Sequence, residues 1–134
     1  MQIRVYGDPA PQGSKTAIVR GGRAVMFDSN KKLPAWRDAV TMACSVYRLE
    51  HSPAVLLGPL AASLVFYLER PRSVIRTYPN TKPDVDKLIR GCFDGIADSG
   101  LISNDSQFVS VTAMKLYADE KNPPGVSINI AKKL

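Results

Sequence analysis

The stretch "KPDVDKLIRGCFDGIADSGLISNDSQ", residues 82 to 107, decides how this chain is read. Val85, Leu88, Ile89, Cys92, Phe93, Ile96 and Ala97 recur at alternating spacings of three, one and three, forming one continuous apolar face that predicts a helix. The same stretch holds Asp84, Asp86, Asp94, Asp98 and Asp105, five of the chain's 12 acidic residues. Set against Lys82, Lys87 and Arg90, these acids leave the stretch at −2, while the whole chain carries +6 and the remainder therefore +8. An acidic island in a basic chain needs a physical reason.

Pro83 disfavours helical geometry at Lys82 and gives the chain an extended approach to the helix. Asp84 then stands at the entry, where an Asp side chain can cap free backbone N–H groups. Two residues apart inside a helix, carboxylates diverge by about 200°. At the entry Asp84 is still non-helical, and its carboxylate can swing toward that of Asp86. Asp86, Arg90 and Asp94 follow at steps of four, a polar stripe of acid, base and acid. Asp105 lies beyond the helix and reaches the first two carboxylates if the next strand runs back beside the helix entry. Carboxylates gathered in this way repel one another unless a cation neutralises them. Hard oxygen ligands suit Mg2+, or Mn2+ in its place, and a bound metal can promote phosphodiester cleavage. The alternative is ordinary capping, with Asp94 and Asp98 solvated and Arg90 in an i, i+4 ion pair.

Outward from this stretch, Gln2 to Tyr6 alternates as a first strand, and "KTAIVR" and "RAVMF" flank Gly21-Gly22 as a hairpin. A second three-to-four pattern predicts a helix from Asn30 to about Glu50, capped by Ser29 or Asn30. "AASLVFYLE" reads as a strand and "RPRSVIRTYPNTKP" as a loop; strands at Phe108 to Tyr117 and Val126 to Ile130 close the chain around "DEKNPPG". The order predicts an α+β fold: residues 1 to 134 as a single domain, a mixed β-sheet with hairpins covered by two main helices. Cys44 and Cys92 sit in helical apolar patterns without metal-ligand spacing and read as reduced, buried thiols.

The charge balance narrows the partners. With 18 Lys+Arg and a pI near 9.5, a polyanion is expected, and nucleic acid more than membrane, since no basic amphipathic helix or anchor signal is visible. "AVLLGPLAASLVFYL" is broken by Gly58 and Pro59 and falls short of the roughly 20 residues a bilayer span needs. "MQIRVYG" carries a charge where a signal peptide would have its apolar core, so the expected location is the cytoplasm. Lys15, Arg20, Arg70, Arg72, Arg76, Lys82 and Lys87 are the candidate contacts to a DNA backbone.

The combination "KPDVDKLIRGCFDGI…SGLISNDSQF", with "VSVTAMKLY" after it, resembles the core of the RusA family of Holliday-junction resolvases, small dimeric endonucleases common in bacteria and prophages. Asp84 and Asp86 match that family's paired acids, Asp94 its helix Asp, and Asp105 the later acid in its Asp-x-Gln ending. "GDPAPQGSK", the hairpin and the helix with "AWRDAV" fall where the family has a polar proline turn, a hairpin and an aromatic-Arg helix. Lys87 stands where the family often has Asn, and Arg90 where the well-studied type has a catalytic Lys. Arg stays charged, so Arg90 can stabilise phosphate charge but is a poor proton donor.

The resemblance implies a Mg2+-dependent DNA endonuclease of recombination and repair, working as a homodimer on branched DNA such as the four-way junction. Asp84, Asp86 and Asp105 would ligate the metal, and Arg90 would act on the scissile phosphate, with Asp94 in a supporting position. Two rivals differ in kind. A non-catalytic DNA-binding module would need the basic surface but not the acids. A D-x-D phosphotransferase would set its acids at the end of a buried apolar strand, whereas "YPNTKPDVD" approaches through a polar, proline-rich loop.

Overall fold

In the computed structural model the apolar face of residues 85 to 97 does form a helix, and it lies against a sheet. The structure describes every residue except Ser14, Ser29, Asn30 and Pro53, and of residues 15–20 and 24–28 the backbone alone. The order is β1 (Gln2–Tyr6), β2 (Lys15–Arg20), β3 (Arg23–Asp28), α1 (Leu33–His51), β4 (Leu60–Leu68), α2 (Val85–Asp98), a 3-10 turn (Asp105–Gln107), β5 (Phe108–Tyr117) and β6 (Gly125–Lys132). This is the expected single-domain α+β architecture. The glycine-turn hairpin β2–β3 forms a two-stranded ribbon of its own, while the main sheet has the order β1-β6-β4-β5.

β4 pairs with β6 antiparallel and with β5 parallel. Parallel neighbours need a long crossover, and here α2 provides it. Along β4 the side chains alternate: Leu60, Ala62, Leu64, Phe66 and Leu68 are buried, while Ala61, Ser63, Val65 and Tyr67 face outward and are partly or fully exposed. One face of the sheet is therefore the core face. Ile128, Ile130 and Val126 of β6 stand in register with Leu64, Ala62 and Phe66 and extend that face.

The two helices close over it. Leu33, Trp36, Val40 and Cys44 of α1 and Leu88, Cys92 and Ile96 of α2 join one apolar cluster with the sheet residues. Gly95 lets the helices approach: a Cβ there would lie 2.8 Å from the Val40 side chain, and the Thr41 hydroxyl donates to the Gly95 carbonyl at 2.9 Å. Glycine inside a helix costs roughly 1 kcal/mol relative to alanine, so close packing is what retains it.

Several local expectations change. The cap of α1 is Lys32, whose side chain makes no capping bond, while Ser29 and Asn30 lie outside the described residues. In the apolar stretch around Gly58 and Pro59, Leu60 is fully buried because β4 is an interior strand, whereas Leu57 is 69% exposed and Leu56 intermediate. Asp98 is not simply solvated, since Arg37 of α1 donates to it at 2.7 Å. Both cysteines are buried, and burial pushes the Cys92 thiol far up and that of Cys44 up to about 11. No described helix is long and apolar enough to cross a membrane.

Candidate active site at the entry of the second helix

Asp84 is the N-cap residue of α2, with extended backbone (φ −71°, ψ 140°), and its carbonyl accepts the first helical bond from the Leu88 N–H at 3.1 Å. Its carboxylate does not cap the helix. Instead it accepts from the Lys87 ammonium at 2.9 Å. That bond, then the Lys87 charge, holds the Asp84 carboxyl below its usual range, with Lys82 and Lys115 adding smaller attractions. Lys87 is raised in turn, first by its hydrogen bond to Asp84 and then by the charge of Asp84, with a further contribution from Asp86. Both acids of the helix entry thus act on the one Lys87 ammonium, Asp84 through a hydrogen bond and its charge and Asp86 through its charge.

Arg90 follows one turn later and is exposed. Its guanidinium lies over Gly13, where a Cβ would come 2.5 Å from the Arg90 Nη1 and where φ is +124°. The "GDPAPQG" turn is tied to the same helix, since the Gln12 N–H donates to the Lys87 carbonyl at 3.0 Å. A side chain at position 13 would displace Arg90, and the backbone conformation there itself favours glycine.

A cleft of about 690 Å³ opens beside Asp84, lined also by Lys82, Lys87, Arg76, Lys31 and Lys32. Leu68 and Tyr117, the last residues of β4 and β5, reach it as well, as do the acids Asp8 and Glu69. Lys32 bonds Asp8 at 2.6 Å across this region, and its pKa is raised by that bond first and by the charge of Asp8 second. The cleft is thus a mainly cationic groove with the Asp84 carboxylate on its wall.

The loop between β4 and α2 sorts its arginines. Arg70 folds inward, donating to the Arg76 carbonyl at 2.7 Å and stacking its guanidinium 4.2 Å from the Tyr117 ring centre. Arg76 donates to the Thr81 hydroxyl at 3.2 Å while still lining the cleft. Arg72 and Lys82 are exposed. Lys15 and Arg20 belong to β2, where the backbone alone is described.

Asp105 is placed differently from the expectation. It opens the 3-10 turn, held by a capping box in which Asn104 accepts from the Ser106 N–H and Gln107 accepts from the Asn104 N–H. Gln107 also donates to the carbonyls of Leu56 and Gly58, fastening the turn to the start of β4. Phe93 stacks on Phe108, so the start of β5 lies beside the later part of α2, while Asp84 lies with the far ends of β4 and β5. The 14 residues of α2 at about 1.5 Å rise each put about 20 Å between the two ends. The strand does run back to the helix entry, but its later residue Lys115 arrives there, not Asp105.

Among the described residues no three or more His, Cys, Asp or Glu side chains come together as a group that could hold a metal ion. Asp84 and Asp86 alone offer exposed hard oxygens at one helix entry, a donor set that fits an ion retaining most of its waters and taking substrate phosphate oxygens. Asp94 is partly buried on α2. Lys31, Lys32, Lys115, Tyr117 and Gly13 escaped the sequence reading. The signal for Lys115 was a charge on the inward phase of a strand, two residues after Ala113.

A family model described as Endodeoxyribonuclease RusA matches residues 7–131. The chain therefore belongs to the RusA endodeoxyribonuclease family. It is also similar to uncharacterized protein YqaN of Bacillus subtilis (strain 168), 28% identical over 132 residues, covering 90% of this chain and 89% of that protein.

Proposed function

We propose that this chain is a Mg2+-dependent endonuclease that resolves four-way DNA junctions as a homodimer. The observation that carries the reading is the Asp84 carboxylate: it stands where a cap would stand, makes no capping bond, and lies on the wall of a cationic cleft. Membership in an endodeoxyribonuclease family supports DNA as the substrate.

Asp84 and Asp86 are the residues that would hold Mg2+, with Mn2+ as a substitute. When bound, such an ion supplies an activated water and charge relief for the leaving oxygen. The Lys87–Asp84 pair is exposed, and exposed pairs are screened by water and contribute little net stability, so exchanging Lys87 for a cation costs little. Lys87 and Arg90 are then placed to neutralise the scissile phosphate. Arg76 and Lys82, which line the cleft, would hold the DNA backbone there, with exposed Arg72 on the loop and Lys15 and Arg20 on the ribbon as further backbone contacts.

A junction has near two-fold symmetry, and two equivalent cuts call for an isologous dimer. Within one chain no third carboxylate joins Asp84 and Asp86 among the described residues, so Asp105 would serve this site from the second copy. The first test is to incubate the protein with labelled four-way, flap and linear duplex DNA, with and without Mg2+. Paired incisions in the four-way substrate, dependent on metal, are expected. Binding without incision under every metal condition leaves a DNA-binding module instead.

A further inference from the structure

Lys115 lies on edge strand β5 in register with Phe66, a fully buried residue of β4. Parallel partners point to the same face, so Lys115 has the inward phase, where an apolar side chain is the usual occupant. Its ammonium leaves the core at the rim and donates to two backbone carbonyls, Thr81 at 2.8 Å and Pro83 at 2.9 Å. These carbonyls belong to the segment 79–84, which pairs with no strand and delivers the chain to α2. One cation thus supplies two charge-assisted bonds to a backbone lacking a ladder.

The next residue is Asp84. An Asp at an N-cap in extended conformation ordinarily turns its carboxylate onto the N–H of the second or third helical residue, here Asp86 or Lys87. That does not happen in this chain. We propose that Lys115 is a positioning residue for the cleavage site: by clamping Thr81 and Pro83 it sets the direction in which Asp84 leaves the loop, keeping its carboxylate on the cleft and off the helix. Without the clamp the segment relaxes, and Asp84 becomes an ordinary cap. An inward charge can also serve merely to blunt an edge strand against self-pairing. That role would leave the helix entry untouched.

The link to cleavage rests on the endonuclease reading, but the clamp is measurable without DNA. Amide hydrogen exchange is followed in the free protein for wild type, Lys115→Met and Lys115→Arg. In Lys115→Met the Asp86 and Lys87 amides, newly capped, are expected to exchange about tenfold more slowly, as one hydrogen bond implies, while Lys115→Arg stays near wild type. On junction DNA the same Met variant is expected to lose about tenfold or more in kcat, with KM within about threefold because the phosphate contacts remain; Lys115→Arg restores most of the rate. Should Lys115→Met not fold, Lys115→Gln carries the same measurements. Unchanged exchange at Asp86 and Lys87 in a folded variant overturns the clamp. Slowed exchange in a protein whose wild type cuts no DNA supports the clamp and sinks the nuclease reading instead.

Discussion

Phe93 and Phe108 stack with ring centroids 4.3 Å apart, joining α2 to the first residue of β5. The start of β5 thus lies beside the later turns of the helix. As β5 runs on, Lys115 comes to the helix entry and bonds the Pro83 carbonyl beside Asp84, while Asp105 stays at the opposite end.

Asp84→Asn, Asp86→Asn and Asp105→Asn are each expected to abolish junction cleavage while affinity stays within a few-fold, because removing a negative charge near phosphate does not weaken electrostatic binding. Geometry adds a sharper outcome. Mixed dimers of Asp84→Asn with Asp105→Asn carry one doubly altered site and one intact site if Asp105 serves across the dimer. Such mixtures should nick a junction in one strand. A mixture as inactive as either parent would remove Asp105 from the partner's site.

Arg72 and Arg70 should separate in a salt titration of junction binding. Arg72→Ala is expected to flatten the dependence of log K on log salt by about 0.9, the value of one phosphate contact on duplex DNA. Arg70 is engaged with the Arg76 carbonyl and the Tyr117 ring. Its replacement by Ala should leave the slope near wild type and make the segment 69–84 more susceptible to proteolysis. Equal slopes for wild type and Arg72→Ala would take the tip of this loop out of the interface.

Gly95→Ala should destabilise the fold although alanine is the better helix former. The gain of roughly 1 kcal/mol in propensity is opposed by a Cβ placed 2.8 Å from Val40. Overpacking of this kind costs about 1–3 kcal/mol, so a net loss is expected in a urea melt. Gly95→Ala combined with Val40→Ala should recover part of it. A more stable single variant would show that the helices can separate at no cost.

Stability should decline on the alkaline side. An unfolded chain releases its thiol protons near the ordinary value of 9.0, whereas Cys44 holds its proton up to about 11 and Cys92 higher still. Between those values the unfolded state binds fewer protons, so stability falls as pH rises, by up to about 1.4 kcal/mol per pH unit for each thiol. Lys87, raised by Asp84, acts in the same direction above its ordinary 10.5. Urea midpoints at pH 8, 9 and 10 measure the slope, and Cys44→Ala with Cys92→Ala should reduce it. A midpoint flat across this range in the parent protein contradicts the burial of the thiols.

Much of the architecture follows from periodicity alone. The apolar spacing from Val85 to Ala97 sets both the existence of α2 and the face it buries, because a helix places residues three and four apart on one side. The alternation from Leu60 to Leu68 does the same for β4 with a period of two. Pro83 marks where the helix can begin, and Asp84 and Asp86 stand at its entry in the sequence as they do in space.

The end at which Asp105 lies was not legible, because a periodic pattern gives a face but no direction along it. That direction came from the parallel pairing of β4 with β5, which forces α2 to cross back and leaves the residues before Phe108 at its C-terminal end. The same pairing carries Lys115 to the carbonyls of Thr81 and Pro83, some thirty residues away in the chain. Local sequence therefore determined which residues are helix, strand and core. Tertiary structure alone decided which charges meet, since charged side chains at the rim of a sheet are brought together by strand direction and register and not by their own spacing.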